Sequence, residues 1–127
     1  MKAMFRIGGL LPVLLALCAC QASAIVRGEI IGTYRINKDG LPDIIEVLSD
    51  GTYTHSFGTG LEARTQRGTW QLEDTAEEQI VTFSDFVFGL EGYGSGKPGF
   101  WIVSPERVAG RVRLSLDDDV GVWYQRQ

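Results

Sequence analysis

The side chain best suited to proton chemistry is that of His55, the single histidine of the chain. An imidazole exchanges protons near neutral pH and acts as a general base when a neighbouring group orients it. A two-residue type I′ turn at Asp50-Gly51 would place Glu46 opposite His55 across a hairpin. We therefore expect a Glu46–His55 pair on one face of that hairpin, among the apolar side chains of Ile44, Leu48, Tyr53 and Phe57.

The function of this pair depends on its burial. The sequence pattern is consistent with a position inside a barrel, with one on the outer surface, and with a register in which the pair does not form. Inside a barrel, Glu46 would favour the protonated imidazole while desolvation would oppose it, and the pair would be a ligand anchor. On the outer surface the pair would contribute about 0–1 kcal/mol and carry no function. The surface alternative is favoured, because a turn fixes register more firmly than burial. A three-residue loop with a bulge would instead set His55 against Ile45 and abolish the pair.

Other groups of residues lack the spacing of the sites they resemble. Segment 92–98 resembles a phosphate-binding loop, but Glu91 precedes it where a Walker A loop needs glycine, and Pro98 stands where that loop needs Ser or Thr. The sequence therefore predicts a flexible loop here. Asp117-Asp118-Asp119 lacks the alternation of an EF-hand and indicates a solvated hairpin tip. No G-x-S-x-G motif accompanies His55. The sequence therefore predicts no catalytic residue, metal or cofactor and disfavours an enzyme, although a two-carboxylate glycosidase stays open.

Aromatic side chains supply the remaining candidates for contact with a ligand or partner. The three tryptophans, Trp70, Trp101 and Trp123, are expected in the core, with the lining of a ligand pocket as the alternative. The glycine-rich segment 86–98 keeps Tyr93, and long loops of this kind often bind ligands or cover a barrel end. The candidate contact residues are therefore Glu46, His55, Tyr93 and Trp101.

Short runs of β-branched and aromatic residues between glycine-containing turns predict an all-β domain over 28–127. Gly68 is a candidate β-bulge. About eight strands in a single antiparallel meander would close into a barrel or fold into a two-sheet sandwich, since both reduce exposed edges. No helix longer than two turns is expected. The strands are expected at 30–36, 44–49, 52–57, 63–72, 80–83, 100–103, 111–116 and 120–125.

The N-terminus has the layout of a secretory signal peptide, with Lys2 and Arg6 before a short apolar run at 7–19. Leu17-Cys18-Ala19-Cys20 resembles a bacterial lipobox, which would remove 1–19 and leave Cys20 as the lipidated first residue. Ala22-Ser23-Ala24 fits the alternative, cleavage after Ala24 and removal of 1–24. The first, slightly favoured, predicts a lipid-anchored envelope protein facing the periplasm, and the second a soluble periplasmic or secreted protein.

Charge and cysteine content narrow the classes of partner. Without Lys2 and Arg6, ten basic residues remain against sixteen acidic ones, a net charge of −6. This balance excludes nucleic acid as a partner and disfavours docking on anionic lipid by charge, so the membrane is reached only through the expected anchor. Because Cys18 and Cys20 are the only cysteines, the domain is expected to be stable without a disulfide.

Several short motifs resemble those of small, uncharacterised bacterial envelope lipoproteins with a lipocalin-like β-meander. The motifs are Gly32-Thr33-Tyr34, the hairpin Leu48-Ser49-Asp50-Gly51-Thr52-Tyr53, Gly68-Thr69-Trp70, and the C-terminal Gly110-Arg111-Val112-Arg113-Leu114, Asp117-Asp118-Asp119 and Trp123-Tyr124. The resemblance covers most of 28–127. It implies a fold and an envelope location, and it brings no catalytic residues.

Three functions fit these observations. The first is a non-enzymatic binding module of the envelope for a small apolar ligand or an envelope protein. The second is a small inhibitor or immunity-type protein whose acidic surface meets a periplasmic enzyme. The third is a hydrolase whose site the sequence does not mark. A large internal pocket would favour the first, a filled interior with an exposed aromatic patch the second, and two close carboxylates in a cleft the third.

Overall fold

The computed structural model describes residues 23–127, and this part of the chain is all-β, as expected. Its helical content is one turn of α-helix, α1 (Arg27–Ile30), and one 3₁₀ turn (Gly60–Glu62). The strands are β1 (Gly32–Ile36), β2 (Ile44–Val47), β3 (Thr52–Phe57), β4 (Arg64–Asp74), β5 (Gln79–Phe86), β6 (Gly99–Val103), β7 (Pro105–Val108), β8 (Arg111–Asp117) and β9 (Val122–Arg126).

The nine strands form one antiparallel sheet that curls into a nearly closed barrel. Their order is β6-β5-β4-β3-β2-β1-β9-β8-β7, so β6 and β7 are the two edges. Only Ser104 separates these edge strands in the sequence. The chain therefore passes from one edge of the sheet to the other in a single step, which brings the two edges close together.

Two features differ from the sequence prediction: the additional strand β7, which was not among the eight expected strands, and the start of β1. Strand β7 was not predicted because Pro-Glu-Arg-Val has little β-strand character, yet Pro105 stands at the first position of an edge strand. There a missing N–H removes no ladder hydrogen bond. Ile30 was expected to open the first strand, but it ends α1 and is fully buried. Tertiary packing of this apolar side chain overrides its β propensity.

Gly68 is not a bulge, contrary to the sequence prediction, and the close approach of other groups explains the residue. It pairs with Tyr53 in regular register within β4. A Cβ at this position would lie 2.7 Å from the Tyr53 ring and would also meet the Ser84 carbonyl oxygen. The Tyr53 hydroxyl donates to that same carbonyl at 2.6 Å. Glycine is therefore required so that Tyr53 can cross the β4 backbone and reach β5.

Alternate residues of the strands point inward and fill the barrel with aromatic side chains. In β3, for example, Tyr53, His55 and Phe57 are buried while their neighbours are partly exposed. Phe83 and Trp101 stack with ring centroids 5.2 Å apart, and Phe86 lies 4.9 Å from Trp101. The largest fully buried side chains include Tyr34, Tyr53, Tyr124, Phe83, Phe86 and Ile30. Such rings occupy the space that a ligand takes in wider barrels.

The hairpin between β2 and β3 has the shifted register, so the expected Glu46–His55 pairing is wrong. His55 pairs with Ile45, and Glu46 pairs with Thr54. The N–H of Leu48 donates to the Thr52 carbonyl, which makes a three-residue loop, and Gly51 has φ +87°. A type I turn followed by a glycine in the left-handed region matches the twist of the strands as well as a type I′ turn does.

The end of the barrel opposite the β3–β4 loop is covered by the N-terminal segment of the described chain. Ile25 and Ile30 are buried in the core. The Tyr34 hydroxyl donates to the Ile30 carbonyl at 2.6 Å, and the Gln79 side chain bonds both the N–H and the carbonyl of Ile25. Residues 25–31 therefore close this end, which we call the base of the barrel.

The predicted signal peptide and Cys20 lie outside the described residues. Neither of the two short helical turns in residues 23–127 has the length and apolar character needed to cross a lipid bilayer. Ser23 and Ala24, which precede the base segment, are exposed.

Candidate binding site at the barrel mouth

The end of the barrel away from the base is built by four loops, and we call it the mouth. They follow β1, β3, β5 and β8, which all run towards this end of the antiparallel sheet. The Asn37 side chain ties the first loop to the last by donating to the Gly121 carbonyl and accepting from the Trp123 N–H. The Tyr93 hydroxyl holds the long β5–β6 loop by donating to Asp117 at 2.9 Å. The mouth is thus braced on both sides.

A buried acid–imidazole pair lies beneath the mouth. Asp43, in the last position before β2, and His55, in β3, are 3% and 0% exposed. His55 Nε2 and Asp43 Oδ1 are 2.6 Å apart, a short distance typical of a charge-assisted hydrogen bond. With Asp43 ionised, the imidazole N–H is the donor. Removing both groups from water has a large desolvation cost, so each needs the other.

Aromatic rings hold the imidazole in place. The His55 ring stacks on Phe86, with centroids 4.6 Å apart and planes 9° from parallel. On another side, Phe57 lies 4.5 Å away, and Tyr124 meets the imidazole edge-on at 6.2 Å. A ring enclosed in this way cannot rotate without displacing its neighbours. The orientation of Nε2 towards Asp43 is therefore fixed by packing as well as by the hydrogen bond.

Three polar atoms of this cluster are buried and have no hydrogen-bond partner among the described residues: Asp43 Oδ2, His55 Nδ1 and the Tyr124 hydroxyl oxygen. Burial, together with the nearby Asp43 charge, raises the pKa of Tyr124, so this phenol stays neutral at physiological pH. Unpartnered buried polar atoms are few in native proteins, and each has a free-energy cost. Their concentration under one loop cluster makes this the candidate functional site.

A cavity of about 120 Å³ opens above Asp43 at the mouth. It is lined by residues of three of the mouth loops and the adjoining end of β3: Leu41, Pro42, Asp43, Phe57, Gly58, Thr59, Glu62, Gly89 and Leu90. Its lining combines apolar side chains, those of Leu41, Pro42, Phe57 and Leu90, with polar groups that include the carboxylates of Asp43 and Glu62. Leu41 is 44% exposed at the rim. The cavity is therefore a small depression of mixed polarity that lies over the buried pair.

The four residues expected from the sequence to contact a ligand lie in four different parts of the barrel. His55 belongs to the buried cluster, and Trp101, 6% exposed, packs in the core below it. Tyr93 is half-buried and braces the loop. Glu46 is exposed on the outer face of β2, where Thr54 donates to it at 3.4 Å, so the structure does not bring it to the cluster. The surface location that was favoured for His55 is wrong, because the shifted register turns its side chain inward.

Asp43 was not predicted as a site residue, although one feature of the sequence pointed to it. In the three-residue-loop register, Asp43 has the same parity as Ile45 and Val47, whose side chains are buried. Side chains two residues apart share a face, so that register places an acid on the inner side of the hairpin, near His55. The two-residue turn chosen from Asp50-Gly51 reversed the parity and concealed the pair.

Within residues 23–127 no cluster of three or more His, Cys, Asp or Glu side chains is arranged to hold a metal ion. The Asp43–His55 pair supplies two such groups, and both are oriented towards each other. Comparisons with protein-family models, with curated proteins and with solved structures find no match for this chain.

Proposed function

We propose that this chain is a non-enzymatic binding module of the bacterial envelope that takes an apolar group at the mouth of its barrel. The observation that carries the proposal is the cavity above Asp43. Its lining places the apolar side chains of Leu41, Pro42, Phe57 and Leu90 beside polar groups that would orient a bound group. Binding sites commonly combine apolar walls with a few placed polar groups.

The volume of the site limits the ligand to a small group or to the end of a larger molecule. Small-molecule sites usually measure about 300–1,000 Å³, whereas this cavity has about 120 Å³. The barrel interior offers no extension, because Phe86, Trp101 and Tyr124 pack below the cluster. A larger molecule would therefore insert one end and lie across the rim, where Leu41 and Leu61 are exposed.

The placement of the mouth also fits an exported, lipid-anchored protein. The described chain begins at Ser23, whose carbonyl accepts from Arg107 at the base. An anchor at Cys20 would hold the base near the membrane. Cys20 precedes Ser23 by only a few residues, and an extended chain spans at most about 3.5 Å per residue. The mouth would then face away from the lipid and be open to periplasmic ligands. Cleavage after Ala24 would give the same domain without an anchor.

Native mass spectrometry of the protein purified from its own envelope tests this proposal. The matched variants are Thr59→Trp, which puts a ring at the mouth, and Ala76→Trp, an exposed position at the base. We expect a retained small-molecule adduct in the natural chain and in Ala76→Trp, and its loss in Thr59→Trp. A natural chain without an adduct, or one retained equally by both variants, would contradict binding at the mouth. The intact mass also reports lipidation or the start of the chain.

A filled barrel interior together with an exposed apolar patch, the combination expected of a protein-binding surface, favours a second function, an inhibitor or immunity-type protein that binds a periplasmic enzyme through its surface. Phe100 and Ile102 are 73% and 64% exposed on the outer face of the edge strand β6. An apolar pair on a strand edge is a common feature of protein-binding surfaces. Replacing both with Asp would abolish partner binding while leaving the mouth adduct intact, which separates this function from the first.

A further inference from the structure

We propose that the outer wall of the barrel carries a second binding site, which takes a phosphate group between two arginines on either side of strand β9. The site consists of Arg35, Gln125, Arg113 and Arg111, and we call these four residues the arginine patch. A soluble phosphate ester and a phospholipid headgroup both carry such a group. The inference goes beyond the proposed function and does not depend on it, because the patch lies on the wall formed by β1, β9 and β8 and not at the mouth.

The register of the sheet places three hydrogen-bond donors in one row. Arg35 of β1 pairs with Gln125 of β9, which pairs in turn with Arg113 of β8. The residues that flank this row along the same strands include several buried ones, namely Tyr34, Ile36, Val112, Leu114 and Tyr124. Because side chains alternate between the two faces of a sheet, the row points outward. At a strand spacing of about 4.8 Å, the Cα atoms of Arg35 and Arg113 lie about 10 Å apart, so both side chains can reach a group above Gln125.

The Arg113 guanidinium is held in position by the ring of Trp123. Its Cζ lies 4.0 Å from the ring centroid, and this stacking contact restricts the rotation of the long side chain. Arg113 Nε and Trp123 Nε1 are covered atoms without a hydrogen-bond partner among residues 23–127. The two terminal nitrogens of Arg113 are not among these covered atoms, and they are the ones that a ligand would reach. A donor that is already in place loses less conformational entropy on binding.

The arginines of the patch have no carboxylate partner in the described part of the chain. The two ion pairs found there have His55 and Arg107 as their cations. Glu106 of β7 pairs with Arg113 in register but forms no ion pair with it, since the guanidinium lies over Trp123 of the other neighbouring strand. Three arginine side chains, two of them exposed and one half-buried, can therefore meet an anion from solvent.

The local charge of this wall is opposite to that of the whole chain. Sixteen acidic residues outnumber twelve basic ones, a balance that disfavours anionic partners when the charge is averaged over the surface. Arg111, two residues before Arg113 on the same face of β8, adds a third positive charge beside the row. At the mouth end of the wall, the Ser115 hydroxyl donates to Asp118, which occupies that carboxylate. A positive patch within an acidic surface directs an anion to one place.

The number of donors favours phosphate over carboxylate. One guanidinium satisfies both oxygens of a carboxylate through two parallel N–H bonds. A phosphate monoester has three acceptor oxygens and a charge of about −1.5 to −2 at pH 7. It can therefore accept from Arg35, Arg113 and the side-chain amide of Gln125 at the same time. A cationic ligand would instead meet three like charges.

An NMR titration followed by the backbone amide signals of Arg35, Arg113 and Gln125 tests the site. The probes are glycerol 3-phosphate, glycerate and glycerol at pH 7 and constant ionic strength, which share a three-carbon skeleton and differ in the charged group. We expect saturable shifts with glycerol 3-phosphate, at least fivefold weaker binding of glycerate, and no saturable shifts with glycerol. Equal binding of glycerol 3-phosphate and glycerate would overturn the phosphate class. Absence of saturation with glycerol 3-phosphate would overturn the site.

Matched arginine variants locate the contact. Arg113→Gln and Arg35→Gln should each weaken the binding of glycerol 3-phosphate about tenfold or more, because each removes hydrogen bonds to a charged group. Arg35 is exposed and forms no ion pair among residues 23–127, so Arg35→Gln is expected to fold even if Arg113→Gln does not. Arg67→Gln removes the same charge from exposed β4, three strands away from β1, and should leave the affinity unchanged. Equal effects of Arg35→Gln and Arg67→Gln would overturn the assignment to the patch.

Vesicles separate the two sources of the phosphate group. Sedimentation with phosphatidylcholine vesicles, with and without phosphatidic acid, uses the Cys20→Ser chain so that no acyl anchor contributes. Sedimentation that requires phosphatidic acid and is lost on Arg35→Gln supports a lipid headgroup. Binding of glycerol 3-phosphate without sedimentation supports a soluble phosphate ester, and both results uphold the phosphate class. Sedimentation that Arg35→Gln leaves unchanged would overturn the patch as a headgroup site.

Discussion

At the scale of single residues, the site depends on a buried pair whose members cannot be removed one at a time. Asp43 and His55 are each almost fully excluded from water and bond each other at 2.6 Å. A charge left alone in such surroundings is costly, whereas apolar residues of similar volume in place of both are tolerated. The pair is therefore weak evidence of stabilisation, although removing one member alone should be costly.

A double-mutant cycle tests this interpretation. We expect His55→Leu to destabilise the fold by about 3–5 kcal/mol, because it leaves Asp43 buried without a partner. Asp43→Leu/His55→Leu should cost clearly less than His55→Leu alone. Urea unfolding followed by tryptophan fluorescence measures both. A double variant as unstable as the sum of the single variants would show that packing, and not the unpaired charge, determines the loss.

The Tyr124 hydroxyl gives a second prediction. Tyr124→Phe removes a buried oxygen that has no hydrogen-bond partner, so the free energy of unfolding should change by no more than about 0.5 kcal/mol or should increase. Tyr34→Phe is the matched control, since its hydroxyl donates to the Ile30 carbonyl at 2.6 Å. That variant should lose about 1–3 kcal/mol, because the buried carbonyl loses its donor. Equal losses would mean that Tyr124 also has a partner.

At the scale of elements, some side chains reach from one strand to another. The fold needs particular glycines and tryptophans at these crossings. Tyr53 passes over Gly68 to reach the Ser84 carbonyl, and the Trp70 indole N–H donates to the Leu48 carbonyl at 2.8 Å. The first contact joins β3 to β5 across the β4 backbone, and the second joins β4 to the β2–β3 loop, which its own ladder does not include. Their removal therefore affects sheet packing and not only a local position.

Gly68→Ala should destabilise the domain by about 1–3 kcal/mol, because the added methyl meets the Tyr53 ring and the Ser84 carbonyl. Gly99→Ala on β6 is the control, since a Cβ there has no neighbour within 4 Å. It should change the free energy of unfolding by less than about 0.5 kcal/mol. Thermal unfolding followed by circular dichroism compares them, and a stable Gly68→Ala would refute the close approach of Tyr53.

Trp70→Ala should cost about 3–5 kcal/mol, because the side chain is only 4% exposed and leaves a cavity when truncated. Its burial confirms the core position expected from the sequence. Trp123 is half-buried and stacks against the Arg113 guanidinium at 4.0 Å, so Trp123→Ala should cost less. Denaturant midpoints in urea rank the two variants. A Trp70→Ala effect below about 0.5 kcal/mol would place Trp70 at the surface in solution.

At the scale of the whole molecule, the two ends of the barrel have different tasks. The base is sealed by residues 25–31 and by the Arg107–Glu29 ion pair, with nitrogen and oxygen 2.8 Å apart. The mouth carries the buried acid, the cavity and the exposed rim. A barrel with one sealed end and one open end can present a site at the mouth without exposing its core.

The ion pair at the base predicts a pH dependence. The Arg107 side chain, as hydrogen-bond donor, lowers the pKa of Glu29 below its ordinary value of 4.5. A lowered pKa in the folded state means that the pair stabilises the fold above the unfolded pKa and loses this contribution as the pH falls through the folded pKa. Glu29→Gln should therefore lower the unfolding temperature at pH 7, and the difference from the natural chain should shrink as the pH falls below the ordinary pKa of 4.5 and through the lowered folded-state pKa. A difference that does not change with pH would contradict this linkage.

The sequence by itself determined the all-β class, most strand positions and the burial of Trp70 and Trp101, because period-2 patterns and glycine turns are local properties. The expectation of export and lipidation also comes from the sequence and remains a prediction, since 1–22 lie outside the described residues. Only the tertiary structure decided the hairpin register and the closure of the sheet through Ser104. Both Asp50-Gly51 turn types satisfy the local sequence, and burial of the whole sheet selects between them. A shift of one position turned His55 inward towards Asp43 and placed Glu46 outside, so the site itself could not be derived from local pattern alone.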